Sequence, residues 1–165
     1  MKRRLFGSMN RQPRGFTLVE LLVTLAILAT LASVAWPLAE LAHRQRKEEE
    51  LRHALRTIRD ALDAYKDAAD AGRIRLSVGS SGYPANLVEL VSGVPDIKSP
   101  RGDKIYFLRS LPRDPFADDT LPADQTWAKR SYQSAPEKPE PGVDVFDVKS
   151  TSRELGTNGV AYREW

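Results

Sequence analysis

The apolar and polar residues of this chain form a short polar start, one long apolar run and a mixed remainder. No charged residue lies between positions 21 and 39, and these 19 residues are about as many as a helix needs to cross the hydrocarbon core of a membrane. The few Thr and Ser residues in the run can bond to carbonyl groups of their own helix. The pattern therefore predicts a membrane-inserted helix.

Helical periodicity continues beyond the apolar run. Apolar residues recur at spacings of 4, 3, 4 and 3, at Leu51, Leu55, Ile58, Leu62 and Tyr65. This spacing places them on one face of a helix as a core stripe, and the charged residues between them on the solvated face. Gly72 is a suitable stop for this helix, and Pro37, which lacks a backbone N–H, predicts a kink within it.

The composition changes at Gly72, because nine of the 11 prolines and eight of the 10 glycines lie from this residue onward. Asn86, with Glu89 three residues later, predicts the start of a short helix that Gly93 ends. Two strands are predicted at 127–134 and 143–149, joined by a Pro-rich link that cannot be a central strand. The expected fold class is α+β, with a long N-terminal helix packed against a small C-terminal antiparallel β-sheet.

The charge balance is uneven along the chain. There are 25 Lys and Arg residues against 22 Asp and Glu residues, a formal charge of +3. Five of the basic residues precede Gly15, so the remainder carries a net charge of −2. This distribution argues against a nucleic-acid partner. The absence of cysteine excludes a disulfide scaffold and a thiolate metal site.

The boundary between the basic start and the apolar run carries the most specific motif. Gly15 and Phe16 are followed by Thr-Leu-Val and then by Glu20. A secretory signal peptide would have a shorter apolar stretch and a clean small-residue cleavage site after it, which this run lacks. The segment instead resembles the class III signal of type IV pilins and pseudopilins, which is cut before the apolar run, so that the helix is retained.

This resemblance assigns roles to three residues. It implies that prepilin peptidase cuts between Gly15 and Phe16 and methylates the new amine of Phe16. It also implies that Glu20 pairs with the Phe16 amine of a neighbouring subunit during assembly; the alternative is that Glu20 only reaches toward the lipid headgroups. The expected regions are a cleaved leader (1–15), a membrane and filament-core half of the helix (16–41), an amphipathic half (42–72) and an α+β head (73–165).

Three stretches of the head narrow the resemblance. Gly82-Tyr83-Pro84, residues 106–116 and residues 144–150 are similar to the G-type major pseudopilin of type II secretion. This implies a type IV pilin-like fold and a structural subunit, not an enzyme. The subunit would be anchored in the bacterial inner membrane, with its leader cytoplasmic and its head periplasmic. The implied partners are copies of itself in a periplasmic filament, prepilin peptidase, an inner-membrane assembly platform, minor pseudopilins and a secretin.

The chain also departs from this pattern. G-type pseudopilins bind calcium in the last loop through acidic side chains, whereas this loop has Arg153 and Asn158 where acids are expected. The remaining candidate oxygen ligands make at most a weak calcium site: Val148, Ser150, Ser152, Glu154 and Asn158. A type IV pilin or a minor pseudopilin therefore remains an alternative, although type IV pilins usually carry a C-terminal cysteine pair.

A signal-anchored periplasmic enzyme is the alternative from another class. His43 and His53 are ten residues apart on the long helix, so they lie on different faces and do not form a metal pair. Asp118, Asp119 and Asp124 could be read as a carboxylate cluster, but carboxylates in a loop are usually only solvated. We therefore expect a structural role without catalytic residues.

Overall fold

The computed structural model describes residues 15–165, and its contacts divide the chain into two compact units, Met1–Ala42 and His43–Trp165. A single helix, α1 (Leu18–Asp70), begins in the first unit and ends in the second. The expected long helix is thus confirmed, with Pro37 inside it. The kink at Pro37 stays a prediction. All of the leader except Gly15 lies outside the described residues.

Helix α1 ends where its sequence predicts. The Gly72 N–H donates to the Ala69 carbonyl and the Arg73 N–H donates to the Ala68 carbonyl, each at 2.9 Å. Gly72 has φ of +65°, the left-handed conformation that glycine adopts without steric cost. These bonds satisfy carbonyl groups that would otherwise lack a partner at the helix end.

The second unit continues with short elements. They are α2 (Val88–Ser92), β1 (Val94–Pro95), β2 (Lys104–Ile105), β3 (Trp127–Arg130) and β4 (Asp147–Ser150), with single 3₁₀ turns at Ala123–Gln125 and Tyr162–Glu164. The residue that caps α2 is Leu87, one position after the predicted Asn86, but the Asn86 side chain still accepts the Glu89 N–H at 3.1 Å and satisfies a donor of the first turn. Gly93 follows the helix directly.

The strands form two separate two-stranded antiparallel sheets, β1–β2 and β3–β4, and not one small sheet. Pro95 closes β1 and has no N–H to extend its ladder. The predicted strands 127–134 and 143–149 are longer than β3 and β4. The carboxylate of Asp144 explains this difference because it accepts the Tyr132 N–H at 2.9 Å and the Ser131 hydroxyl at 2.7 Å.

The core of the second unit lies along α1. All five residues of the predicted stripe are buried, and Leu51 and Ile58 are fully so. They belong to one apolar cluster that also contains Leu87, Leu90, Val148 and Tyr162. The stripe is therefore core and not a ligand groove, as its spacing predicted. The cluster takes residues from α2 and from the strands as well as from α1, so this apolar helix face is removed from water.

Candidate processing and assembly site

The predicted cleavage position lies in exposed backbone just before α1. Residues 15–17 are outside the helix and exposed. The hydroxyl oxygen of Thr17 accepts the Glu20 N–H at 3.2 Å, and its carbonyl accepts the Leu21 N–H at 3.1 Å. Thr17 therefore acts as the helix cap, with the Thr-x-x-Glu spacing of a capping box. The peptide bond after Gly15 is left outside the hydrogen-bonded helix.

Glu20 is exposed in the first turn of α1. A carboxylate is favourable there because the unpaired N–H groups give a helix start a partial positive charge. Within residues 15–165, the ion pairs are formed by other side chains. A cation that pairs with Glu20 would therefore come from outside residues 15–165. The pairing of Glu20 with the Phe16 amine of a neighbouring subunit stays a prediction.

The apolar part of α1 has no protein cover. In the described chain, α1 is long and apolar enough to cross a membrane, and its most apolar window is 0% buried. The core helix of a soluble protein would bury this surface. The hydroxyl groups of Thr24, Thr30 and Ser33 donate to carbonyls three residues earlier at 2.7–2.8 Å. These bonds, which the sequence predicted, keep the hydroxyls satisfied where no water is present.

The second unit contains a buried carboxylate that the sequence reading missed. Glu48 of α1 is only 1% exposed and accepts hydrogen bonds from Thr157 and Tyr162. Burial opposes its ionisation, but these donors and the Arg52 guanidinium outweigh burial and hold the pKa of Glu48 below its usual value. The signal was the core stripe itself. Extended backward from Leu51 by three and then four residues, it reaches Glu48 and Arg44.

The residues considered for the enzyme alternative occupy separate local environments. The carboxylate of Asp118 accepts both the backbone N–H and the hydroxyl of Thr120, which lowers its pKa. Asp124 belongs to a 3₁₀ turn. His43 and His53 are exposed on α1. Within the described chain, no group of three or more His, Cys, Asp and Glu side chains is placed to hold a metal ion.

The candidate calcium ligands have other partners. The Val148 carbonyl accepts from Arg59 at 3.1 Å, and the Ser150 hydroxyl donates to the buried Asp114 at 2.6 Å. Asn158 Oδ1 accepts the Val160 N–H at 3.0 Å. Ser152 Oγ accepts the Glu154 N–H at 3.3 Å, and the Glu154 side chain is exposed.

Comparison with known proteins concerns the N-terminus alone. A family model described as the prokaryotic N-terminal methylation motif matches residues 10–36. No curated protein and no solved structure gives a significant match to the chain. The chain therefore carries the prepilin-type signal of type IV pilin-like proteins, which prepilin peptidase processes. Its long apolar helix, followed by small antiparallel sheets, is consistent with a type IV pilin-like fold.

Proposed function

We propose that this chain is a structural pseudopilin of the G type, the major subunit of a type II secretion filament. The unprocessed subunit lies in the inner membrane with its leader in the cytoplasm and its head in the periplasm. After cleavage and methylation it joins other copies in a periplasmic filament on an inner-membrane assembly platform. The filament, with minor pseudopilins, drives folded proteins through a secretin in the outer membrane.

The match to the methylation motif carries this proposal, because the motif combines processing with retention of the apolar helix. The uncovered apolar surface of α1 supports it: such a surface needs lipid before assembly and neighbouring helices afterwards. The exposed Glu20 supports it as well, since a carboxylate in an apolar environment is stable only with a partner.

The contacts within the head support the G-type assignment. The three stretches that resemble G-type pseudopilins meet one another, although they are far apart in sequence. The Val145 N–H donates to the Pro84 carbonyl at 2.8 Å, and the rings of Tyr83 and Phe146 meet edge to face at 5.0 Å. The bond between Ser150 and Asp114 joins the second and third stretches. The resembling residues thus form part of the framework of the head.

A minor pseudopilin is the second candidate, and the loop chemistry favours it. Arg153 and Asn158 lie where the G-type loop has acidic residues. In addition, Ala117 follows Asp114-Pro115-Phe116, where G-type pseudopilins usually have a glycine. A type IV pilin is less well supported because the sequence contains no cysteine. Deleting the gene in its host separates these functions: loss of exoprotein secretion supports type II secretion, and loss of surface pili supports a pilin. Overproduction separates the two pseudopilins: long filaments built of this chain alone would support a major subunit, and their absence would support a minor one.

Processing is the first test of the proposal. When the chain is produced in bacterial membranes together with prepilin peptidase, we expect loss of residues 1–15 and addition of one methyl group to Phe16. The mature chain then has 150 of the 165 residues. Intact-mass measurement of the membrane extract gives both changes. Gly15→Val is the blocked variant, because a branched side chain at the cleavage position prevents the close backbone approach that glycine allows.

A mature N-terminus near Ala35 would overturn the proposal, because it would mean that a signal peptidase had removed most of the apolar run. A chain that keeps its leader with an active peptidase present would also overturn it. A known pilin precursor produced in the same cells serves as the control for peptidase activity.

A further inference from the structure

We propose that residues 147–165 are held on α1 by the buried carboxylate of Glu48 and the guanidinium groups of Arg44 and Arg59, without calcium or another bound cation. We call these three side chains the α1 anchor. The proposal concerns the construction of the head and does not depend on the role of the chain in secretion.

Glu48 collects hydrogen-bond donors from the C-terminal segment. Its Oε1 accepts the Thr157 N–H at 2.7 Å and the Tyr162 hydroxyl at 3.0 Å, while its Oε2 accepts the Thr157 hydroxyl at 2.6 Å. Three donors therefore converge on one buried negative charge. Bonds of this kind, in which one partner is ionised, are roughly twice as strong as neutral ones.

The two arginines collect acceptors from the same segment. Arg44 donates to the Leu155 carbonyl and, through Nε, to the Tyr162 hydroxyl oxygen at 3.2 Å. Arg59 donates to the Val148 carbonyl at 3.1 Å, to the Trp165 carbonyl at 2.9 Å and to the Asp147 carboxylate at 2.8 Å. Positive side chains thus bond three backbone oxygens of this segment, and one of them, the Val148 carbonyl, is a candidate calcium ligand.

This arrangement does not fit a calcium ion. Calcium requires six to eight oxygen atoms that converge on one point. Of the candidate oxygens, the Val148 carbonyl faces Arg59, the Ser150 hydroxyl is bonded to Asp114, and Asn158 Oδ1 is bonded within its own loop. At Glu48, the groups of the loop that point toward α1 are donors, namely the N–H and O–H of Thr157 and the O–H of Tyr162. The loop therefore needs an anion at this position.

Aromatic packing completes the anchor around Tyr162, which is fully buried. Phe116 stacks on its ring with centroids 3.9 Å apart, and Trp165 meets it edge-on at 5.1 Å. Arg52, which forms a 3.5 Å ion pair with Glu48, covers the ring of Trp165 at 4.4 Å. The Tyr162 hydroxyl is thus fixed between Arg44 and Glu48, receiving a bond from one and donating to the other.

Hydrogen exchange of the full-length protein in detergent tests the proposal. For the native chain, we expect equal protection of residues 151–165 in EDTA and in excess calcium. Glu48→Gln should speed exchange in this segment by about tenfold or more, because it removes the charge that strengthens three bonds. The pairing of β1 with β2 should be unaffected. Glu49→Gln, which changes the adjacent exposed carboxylate, is the matched control and should behave like the native chain.

Two results would overturn the proposal. One is loss of protection in the native chain when EDTA is added, which would show that a cation holds the segment. The other is exchange in Glu48→Gln that equals that of Glu49→Gln. If Glu48→Gln unfolds the whole head, Tyr162→Phe decides, because it removes one of the three donors. It should speed exchange in the same segment by a smaller factor, and no change would count against the anchor.

Discussion

At the scale of single residues, we propose two roles for Glu20, one before cleavage and one after it. Before cleavage, its backbone N–H is held by Thr17, and its charge lies at the positive start of α1. Cleavage after Gly15 would place a new ammonium four residues away, and both charges would then lie where water screens poorly. In the proposed filament, pairing with the amine of a neighbour satisfies both charges and sets the register between subunits.

The Glu20→Ala variant separates assembly from processing. We expect normal or slightly easier insertion, because a carboxylate costs about 2.5–3.5 kcal/mol at the membrane centre and less near its boundary. Cleavage and methylation should also be normal. Secretion and crosslinks between neighbouring N-terminal helices should be lost, and Glu20→Leu should behave alike. Glu40→Ala, which removes an exposed carboxylate from the same helix, is the control. Secretion by Glu20→Ala at the native level would mean that the carboxylate is only tolerated.

Tyr65 makes the folding stability of the second unit fall at alkaline pH. Its hydroxyl donates to Glu89 at 3.3 Å, and burial, followed by the negative charge of Glu89, raises the pKa of Tyr65 to about 12 from an ordinary value of 10. The neutral phenol is therefore favoured in the folded state. The stability that this preference gives is fully present below about pH 10 and is lost as the pH rises through about 12.

Denaturant unfolding between pH 9 and about 12, followed by near-ultraviolet circular dichroism, measures this contribution. We expect native stability to fall over this window and Tyr65→Phe to show a smaller fall. Tyr106→Phe is the control because Tyr106 is 63% exposed. Equal pH dependence of the native chain and of Tyr65→Phe would show that Tyr65 is not the group responsible.

At the scale of elements, α1 is the part that the sequence predicts best. Its apolar stripe follows the helical period, and Gly72 provides the end, so both depend on local rules. The strands follow the sequence less closely because Asp144, a distant carboxylate, takes the backbone donor of Tyr132. Periodicity contains no information about such a competitor. The places of β3 and β4 were therefore predicted, whereas their short length and the division into two sheets were not.

The contribution of the α1 stripe to the stability of the second unit can be measured at Ile58. This residue is fully buried in the apolar cluster, so Ile58→Ala should lower the free energy of unfolding by about 2–5 kcal/mol. Arg56→Ala, on the exposed face two residues away, should change it by less than about 0.5 kcal/mol. Denaturant midpoints in detergent give both values. An effect of Ile58→Ala as small as that of the control would mean that the head does not depend on the stripe.

At the scale of the whole molecule, the processing motif and the α+β class could be read from the sequence because both rest on contiguous or periodic residues. The α1 anchor could not be predicted from the sequence. Glu48 and Arg44 stand out as polar residues at core positions, but their partners lie 109–118 residues away. Complementary charge alone does not identify Thr157 and Tyr162 among the many donors of the chain.

The long-range bonds of α1 also set the order in which the head can form. Arg59 reaches residues 88 to 106 positions later, and Glu48 reaches residues 109 and 114 positions later. Contacts between such distant segments close slowly, since a long loop must be ordered before they form. The helix emerges early during synthesis, whereas its partners emerge last. Until they do, the part of the α1 stripe that packs with Val148 and Tyr162 stays uncovered, and the nascent head depends on the speed of its own completion to avoid aggregation.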